Sequence, residues 1–265
     1  MSVVNYKVEQ NVGFVTLNRP EAKNAISPEM AVRLADIWEL AKTDDSVRVV
    51  VLTGTGDVFC AGADLGRLIP LISGNRKPED EWDDRILTDK TLLDKTLLRT
   101  FDVVKPIVAA VNGHGIAGGL EMLQATDIRV SSPLARFGVQ EVKWGIFPAG
   151  GSSVRLPRQL PYAKAMELLL TGDLISADEA RAYGFVNYVT EHFFEKAVEI
   201  ANKISHNGPL AVRAIRKSAR ACLGVKESEA LDIEKELSAP IFQTQDAMEG
   251  PLAFMEKRRP IFKGK

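Results

Sequence analysis

The sequence predicts an α/β core over residues 1–190 followed by an all-helical part over residues 191–265. Three observations carry that prediction. Runs rich in β-branched residues, such as "VRVVVLTG" (47–54) and "KPIVAAVNG" (105–113), recur through the first part and alternate with stretches of helical period. Strand signals cease after "FVNYVT", and the remainder reads as consecutive amphipathic helices. With 265 residues, 45% hydrophobic and 26% charged, the chain can build one sizeable core and has ordinary globular composition.

Taken in order, "VNYKVEQNVGFVTLNRP" predicts two short strands around a turn at Gln10-Asn11, stopped by Pro20. "SPEMAVRLADIWELAK" opens a helix that Ser27 can cap and Pro28 can start, with Met30, Leu34, Ile37 and Leu40 on one face. The strand at 47–54 leaves through the glycine-containing loop "TGDVFCAGADLGRL". Residues 70–95 are polar and charge-rich, and read as a mobile surface excursion that turns helical near Thr91. The strand at 105–113 is followed by a glycine loop, the helix "GLEMLQAT" and the strand-like "DIRVSS". "PYAKAMELLLTG" (161–172) and "SADEARAYG" (176–184) are helices; Ser176 and Glu179 make a capping-box pair and Gly184 a stop. Four helices then follow: "EHFFEKAVEIANKIS", "PLAVRAIRKSARACL", "KESEALDIEKELSAPIF" and "DAMEGPLAFMEKRR".

Bulk properties exclude several classes. With 34 basic and 35 acidic residues the formal charge is −1, so no surface for nucleic acid or an anionic membrane is expected. Cys60 and Cys222 form no C-x-x-C pair and read as reduced thiols. "MSVVNYKVEQ" carries no signal pattern and no apolar run is long enough to span a bilayer, so a soluble, cytoplasmic protein is expected.

"VNGHGIAGGLEM" contains Gly113-x-Gly115-x-x-Gly118, the form of a dinucleotide fingerprint. That motif belongs early in a βαβ unit, with an acidic residue about 20 positions on. Here it lies at mid-chain, Asp127 is too close, and Glu141 follows "RFGVQ" rather than ending a second strand. There is no G-x-x-x-x-G-K-[ST] and no G-x-S-x-G elbow, although Ser152 and Ser153 follow two glycines. None of His114, His192 and His206 has metal-ligand spacing, so no metal is expected.

What remains is two backbone-rich loops and two carboxylates. "FCAGADL" and "GIAGGLEM" can each present main-chain N–H groups, the second from the start of a helix, where those groups lack partners. Meeting at one point they would make an oxyanion hole, each donor lowering a barrier by about 3–4 kcal/mol. The same glycines could equally serve only tight strand–helix packing. The carboxylates favour chemistry. Glu121 shares a helix face with Gly118, and Glu141 lies in the apolar, glycine-rich segment "FGVQEVKWGIFPAGGS". Two carboxylates at one apolar site push their pKa values apart, leaving one to donate a proton and one to accept it.

These segments resemble the crotonase (enoyl-CoA hydratase/isomerase) superfamily. The likeness is carried by "FCAGADL" (59–65), "KPIVAAVNGHGIAGGLEMLQATDIRV" (105–130) and "FGVQEVKWGIFPAGGSSVRLP" (137–157). It continues through "RPEAKNAIS" (19–27), "LLLTGDLISADEARAYGFVNYV" (168–189) and "AFMEKRRPIF" (253–262), in order and over essentially the whole chain. The resemblance implies a spiral of ββα units whose C-terminal helices build trimers and commonly hexamers, so a homotrimer or hexamer is expected. It implies an acyl-CoA thioester as substrate, with coenzyme A as the substrate's handle and no separate cofactor. The family's oxyanion hole maps onto the N–H groups of Ala63 and Gly118. Coenzyme A would run along Lys23, Ala25 and Ala61 and past Asp64 and Leu65, while Phe254 and Lys257 match positions that approach the coenzyme of a neighbouring subunit.

The family's hydratases use two glutamates, which match Glu121 and Glu141 here. The expected reaction is therefore reversible hydration of a trans-2-enoyl-CoA to a 3-hydroxyacyl-CoA. The alternative is another family reaction: double-bond isomerisation, or hydration of a branched, aromatic or carnitinyl-type acyl-CoA. Three residues depart from the hydratase pattern: Gln140 where proline is usual, Trp144 in a stretch usually smaller and more aliphatic, and Asp173 where a basic residue is common.

Overall fold

A computed structural model describes residues 2–265. The chain opens with a hairpin, β1 (Val4–Glu9) and β2 (Val12–Leu17). Gln10 and Asn11 both sit at positive φ (48° and 66°), the two-residue connection that matches strand twist. Helix α1 (Pro28–Thr43) leads to β3 (Val49–Gly54) and β4 (Val58–Cys60), and then come three short helices, α2 (Leu68–Ile72), α3 (Glu81–Thr88) and α4 (Leu92–Thr96). The pattern repeats as β5 (Ile107–Val111), β6 (His114–Ile116) and α5 (Gly118–Gln124), and again as β7 (Ile128–Ser131), β8 (Arg136–Gly138), α6 (Ser152–Gln159) and α7 (Tyr162–Thr171). Strand β9 (Ile175–Ser176), α8 (Ala177–Ala182) and β10 (Tyr188–Val189) close the core. The rest is α9 (Phe193–Ser205), α10 (Pro209–Ala221), α11 (Glu227–Ser238) and α12 (Gln245–Met255).

From β3 to β8, consecutive strands alternate between two sheets. One sheet has six strands in the order β1-β2-β3-β5-β7-β10, and the other has four in the order β4-β6-β8-β9. Apart from the β1–β2 and β8–β9 pairs, every pairing is parallel. Each turn of the chain thus adds one strand to each sheet and then a helix, which is the expected spiral of ββα units. The short strands β4, β6, β8 and β9 lie inside stretches that read as loops or helix caps, because two or three residues carry no visible alternation.

The main core packs α1 (Met30, Leu34, Trp38) against Leu17, Leu52, Phe59, Leu123 and Phe137. Leu40 is not part of it: the buried stripe of α1 runs on through Trp38 and Ala41, leaving Leu40 56% exposed. The opposite face of the large sheet is covered by α9, whose Ala197 and Ala201 pack on Val12, Val49, Val51, Val108, Ala110 and Val130. Both faces of a mostly parallel sheet are thereby buried. The first of the C-terminal helices therefore shares the core of the α/β part, and position 191 marks a change of secondary structure rather than a gap between two cores.

The expected caps are present. Ser27 accepts from the Met30 amide at 3.2 Å, and Ser176 and Glu179 form both halves of a capping box. The far end of α1 is closed by fully buried Lys105, whose Nζ donates to the carbonyls of Ala41 and Asp44.

Residues 70–95 correct the expectation of a mobile excursion. The segment is mainly helical, with Asp80 accepting from the amides of Trp82 and Asp83 to start α3. Ile86 and Leu92 join the main core. Asp83 is fully buried and takes the Arg76 guanidinium at 2.7 Å. Its charge-rich composition hides the Arg76–Asp83 pair, which satisfies the one fully buried carboxylate of the segment.

Candidate active site

The site forms where β4 and β6 end against the start of α5. Ile26 and Ala63 make an isolated parallel bridge in which the Ile26 amide donates to the Gly62 carbonyl (2.8 Å) and the Asp64 amide to the Ile26 carbonyl (3.0 Å). That pairing spends the groups on either side of Ala63 and turns the Ala63 N–H to the opposite side of the strand. Gly118 is the first residue of α5, so its N–H has no intrahelical acceptor. A Cβ on Gly62 would lie only 3.2 Å from the Gly118 nitrogen, so the two loops touch. Between them Ala117 is held at φ 53°, ψ −126°, a conformation costly for any residue with a side chain, and its amide is tied to the Gly138 carbonyl at 2.9 Å. Strain of this kind persists where surrounding structure over-determines the backbone, here the pairing of β6 with β8.

Glu121, one turn into α5, is almost fully buried. Its Oε1 accepts from the Ser152 amide at 3.2 Å, at the N-terminus of α6. Burial raises its pKa, against the opposing pull of hydrogen bonds from Ser152 and Gly150 and of the Arg155 charge. Gly150 is indispensable to this arrangement: a Cβ there would stand 2.2 Å from Glu121 Oε2 and 2.7 Å from Leu97 Cδ1.

Glu141 opens a short 3-10 turn, Glu141–Trp144, that follows β8. Its Oε2 is shielded from water and has no hydrogen-bond partner among the described residues. Burial first, and then the neighbouring Glu121 charge, push its carboxyl up to about 7. Two carboxyls from separate segments are therefore close enough for the charge of one to raise the other in a poorly solvated place.

The predicted coenzyme residues fall into two groups. Lys23 and Ala61 are adjacent, the Ala61 amide donating to the Lys23 carbonyl at 3.1 Å, and the Ala25 carbonyl accepts from Arg19 at 2.7 Å. Asp64 is engaged locally, pairing with Arg19 at 3.2 Å and accepting from the Gly66 and Arg67 amides, while Leu65 is exposed. Phe254 and Lys257 stand apart. Phe254, 86% exposed at the end of α12, lines a groove with Glu199, His206, Arg258 and Phe262, none of which is a predicted site residue.

The departures have local partners. Asp173 pairs with Lys143 at 2.8 Å, tying the Glu141–Trp144 turn to the end of α7, though both groups are exposed and such a pair adds little stability. Trp144 is 72% exposed beside that site. Cys60 is buried behind Gly119 and its thiol is pushed up to about 12, so it is inert packing. Gly113 is a packing residue too, since a Cβ there would meet the Asp57 carbonyl oxygen at 1.8 Å. Ser152, Gly150, Leu97 and Arg155 all border Glu121 but were not among the predicted site residues. Only the glycine pair opening a helix in "AGGSSVRL" gave a signal for the first two. Among the described residues no cluster of three or more metal-ligating side chains occurs and no helix is long and apolar enough to cross a membrane.

Two sheets wound by ββα units, with two glycine loops meeting at the start of α5 and two poorly solvated carboxyls, define a crotonase-type α/β enzyme. The chain belongs to the enoyl-CoA hydratase/isomerase family, whose model matches residues 7–265. An enoyl-CoA hydratase of Mycobacterium tuberculosis is 43% identical over 95% of this chain and 92% of that protein. The (E)-benzylidenesuccinyl-CoA hydratase of Thauera aromatica is 37% identical over 98% of this chain and 99% of its own length. A solved enoyl-CoA hydratase/isomerase structure from Mycobacterium abscessus superimposes with a TM-score of 0.89 at 38% identity, covering 99% of this chain and all of that one.

Proposed function

We propose that the protein catalyses reversible addition of water across the 2,3-double bond of a trans-2-enoyl-CoA. The observation that carries the reading is the pair Glu121 and Glu141 in one buried space, with Glu141 pushed up to about 7 and its Oε2 unpartnered. The Ala63 and Gly118 amides receive the thioester oxygen and stabilise the enolate charge that develops as water attacks C3. Glu121 accepts the water's proton, and Glu141, protonated in its poorly solvated place, delivers a proton to C2. Exchange with solvent then returns both groups to their starting states. Coenzyme A is the handle, held along Lys23, Ala25, Ala61, Asp64 and Leu65, with Phe254 and Lys257 approaching it from a neighbouring subunit of a trimer or hexamer.

Isomerisation needs one base to carry a proton between C2 and C4, so two carboxyls at the site favour hydration. The test is Glu141→Gln on an acyl-CoA panel followed by loss of enoyl absorbance. The variant should bind acyl-CoA nearly as wild type does and lose roughly 100-fold or more in kcat. Near-wild-type turnover would remove Glu141 from the mechanism.

A further inference from the structure

Arg155, in the first turn of α6, is a half-buried cation with no carboxylate partner among the described residues. Its Nη1 is shielded from water and donates to nothing, while Nη2 donates to the carbonyls of Leu98 (2.6 Å) and Arg99 (2.9 Å). A buried charge without an ion-pair partner is costly, so its retention calls for a purpose. Leu98 stands at φ 52°, a left-handed conformation unfavourable for leucine, in the turn that ends α4. The residue before it, Leu97, reaches the site: its Cδ1 lies 2.7 Å from a Cβ built on Gly150 and its Cδ2 lies 3.7 Å from one built on Gly118. The same helix that carries Arg155 offers the Ser152 amide to Glu121.

We propose that Arg155 is a positioning residue: it pins the left-handed turn behind α4, and with it Leu97, onto the helix that holds Glu121, and sets a positive charge beside that carboxylate. The inference rests on the hydratase reading for Glu121's role. Electrostatics agrees with the geometry: the Arg155 charge lowers the Glu121 pKa, and Glu121 in turn favours the charged guanidinium, against burial and the like charges of Arg220 and Arg99. The Glu121 charge in turn raises the neighbouring Glu141 carboxyl.

The experiment compares Arg155→Met, Arg155→Lys and, as a control, Arg99→Gln, which leaves the Arg99 carbonyl in place. Arg155→Met should lose about 10-fold or more in kcat, and the acid limb of its kcat/KM profile should move up by roughly half a pH unit or more. Arg155→Lys should keep the wild-type limb but not the full kcat, because an ammonium retains the charge without the planar fork on two carbonyls. Arg99→Gln should match wild type. Titrating the Glu121 carboxyl stretch by infrared difference, wild type against Glu121→Gln, reads the same shift without turnover. An unmoved limb and an unmoved infrared titration in folded Arg155→Met would overturn the proposal, leaving Arg155 a structural residue only. If Arg155→Met does not fold, wild-type kcat in Arg155→Lys would overturn the pinning role. If wild type hydrates no enoyl-CoA, the hydratase reading falls, while the infrared titration still decides whether Arg155 acts on Glu121.

Discussion

Adding one methyl group at Gly150 should separate the fold from the chemistry. In Gly150→Ala the new Cβ would lie 2.2 Å from Glu121 Oε2, 2.6 Å from its Cδ and 2.7 Å from Leu97 Cδ1. Ordinary contact needs more than 3 Å, so the carboxylate must withdraw by about 1 Å. All three atoms belong to side-chain ends that can rotate, and Gly150 has no positive φ to strain the alanine backbone. The overpacking should therefore cost about 1–3 kcal/mol of stability, which a protein of this size tolerates. A displacement of about 1 Å at a proton-transfer group costs on the order of 100-fold in rate. Steady-state hydration of crotonyl-CoA, run beside chemical denaturation, reads both numbers. A folded Gly150→Ala variant with wild-type kcat would show that the position of Glu121 is not critical, and the assignment of the base would fail with it.

The remaining predictions concern stability. Glu141 has its folded-state pKa raised from 4.5 to about 7, so the folded protein holds a proton that the unfolded chain has released across that interval. Its stabilising contribution is full below about 4.5 and is lost as pH rises through about 7, a fall of at most about 3 kcal/mol. Urea titrations at pH 5 and pH 8 should show this slope, and Glu141→Gln should flatten it; equal slopes in both proteins would refute the raised value. Asp83→Ala removes the buried carboxylate partner of Arg76 and leaves it only the exposed Glu79 at 3.1 Å, so the urea midpoint should fall and amide exchange across 79–88 should quicken. A loss below about 1 kcal/mol would mean the pair behaves as a surface ion pair.

Long elements and their caps were legible in the sequence because each rests on local chemistry. Ser27, Pro28 and the Ser176–Glu179 box act within four residues, and the β-branched runs of β3 and β5 announce buried strands. The strands of the second sheet were not, since β4 and β6 are three residues long and are specified by neighbours distant in sequence. The segment 70–95 misled for a related reason: counting charges cannot show that Arg76 and Asp83 satisfy one another. Glu121 and Glu141 could be singled out by residue type and setting, and the resemblance placed Ala63 and Gly118. Arg155 and Leu97 could not be found this way, because they reach Glu121 only through the packing of α4 against α6.

Helix α9 also bears on how the chain is made. Until residues 193–205 emerge during synthesis, the sheet face of Val12, Val49, Val51, Val108, Ala110 and Val130 has nothing to cover it. The nascent chain must hold a nearly finished parallel sheet with one greasy side open, a state prone to aggregation. Arg48, just before β3, then fastens the late arrivals by donating to the carbonyls of Ser205 and Phe262. A chain cut at 190 would keep every residue from Lys23 to Glu141 and yet leave that sheet face open, so the docking of α9, rather than completion of the candidate site, is the step that buries the second side of the large sheet.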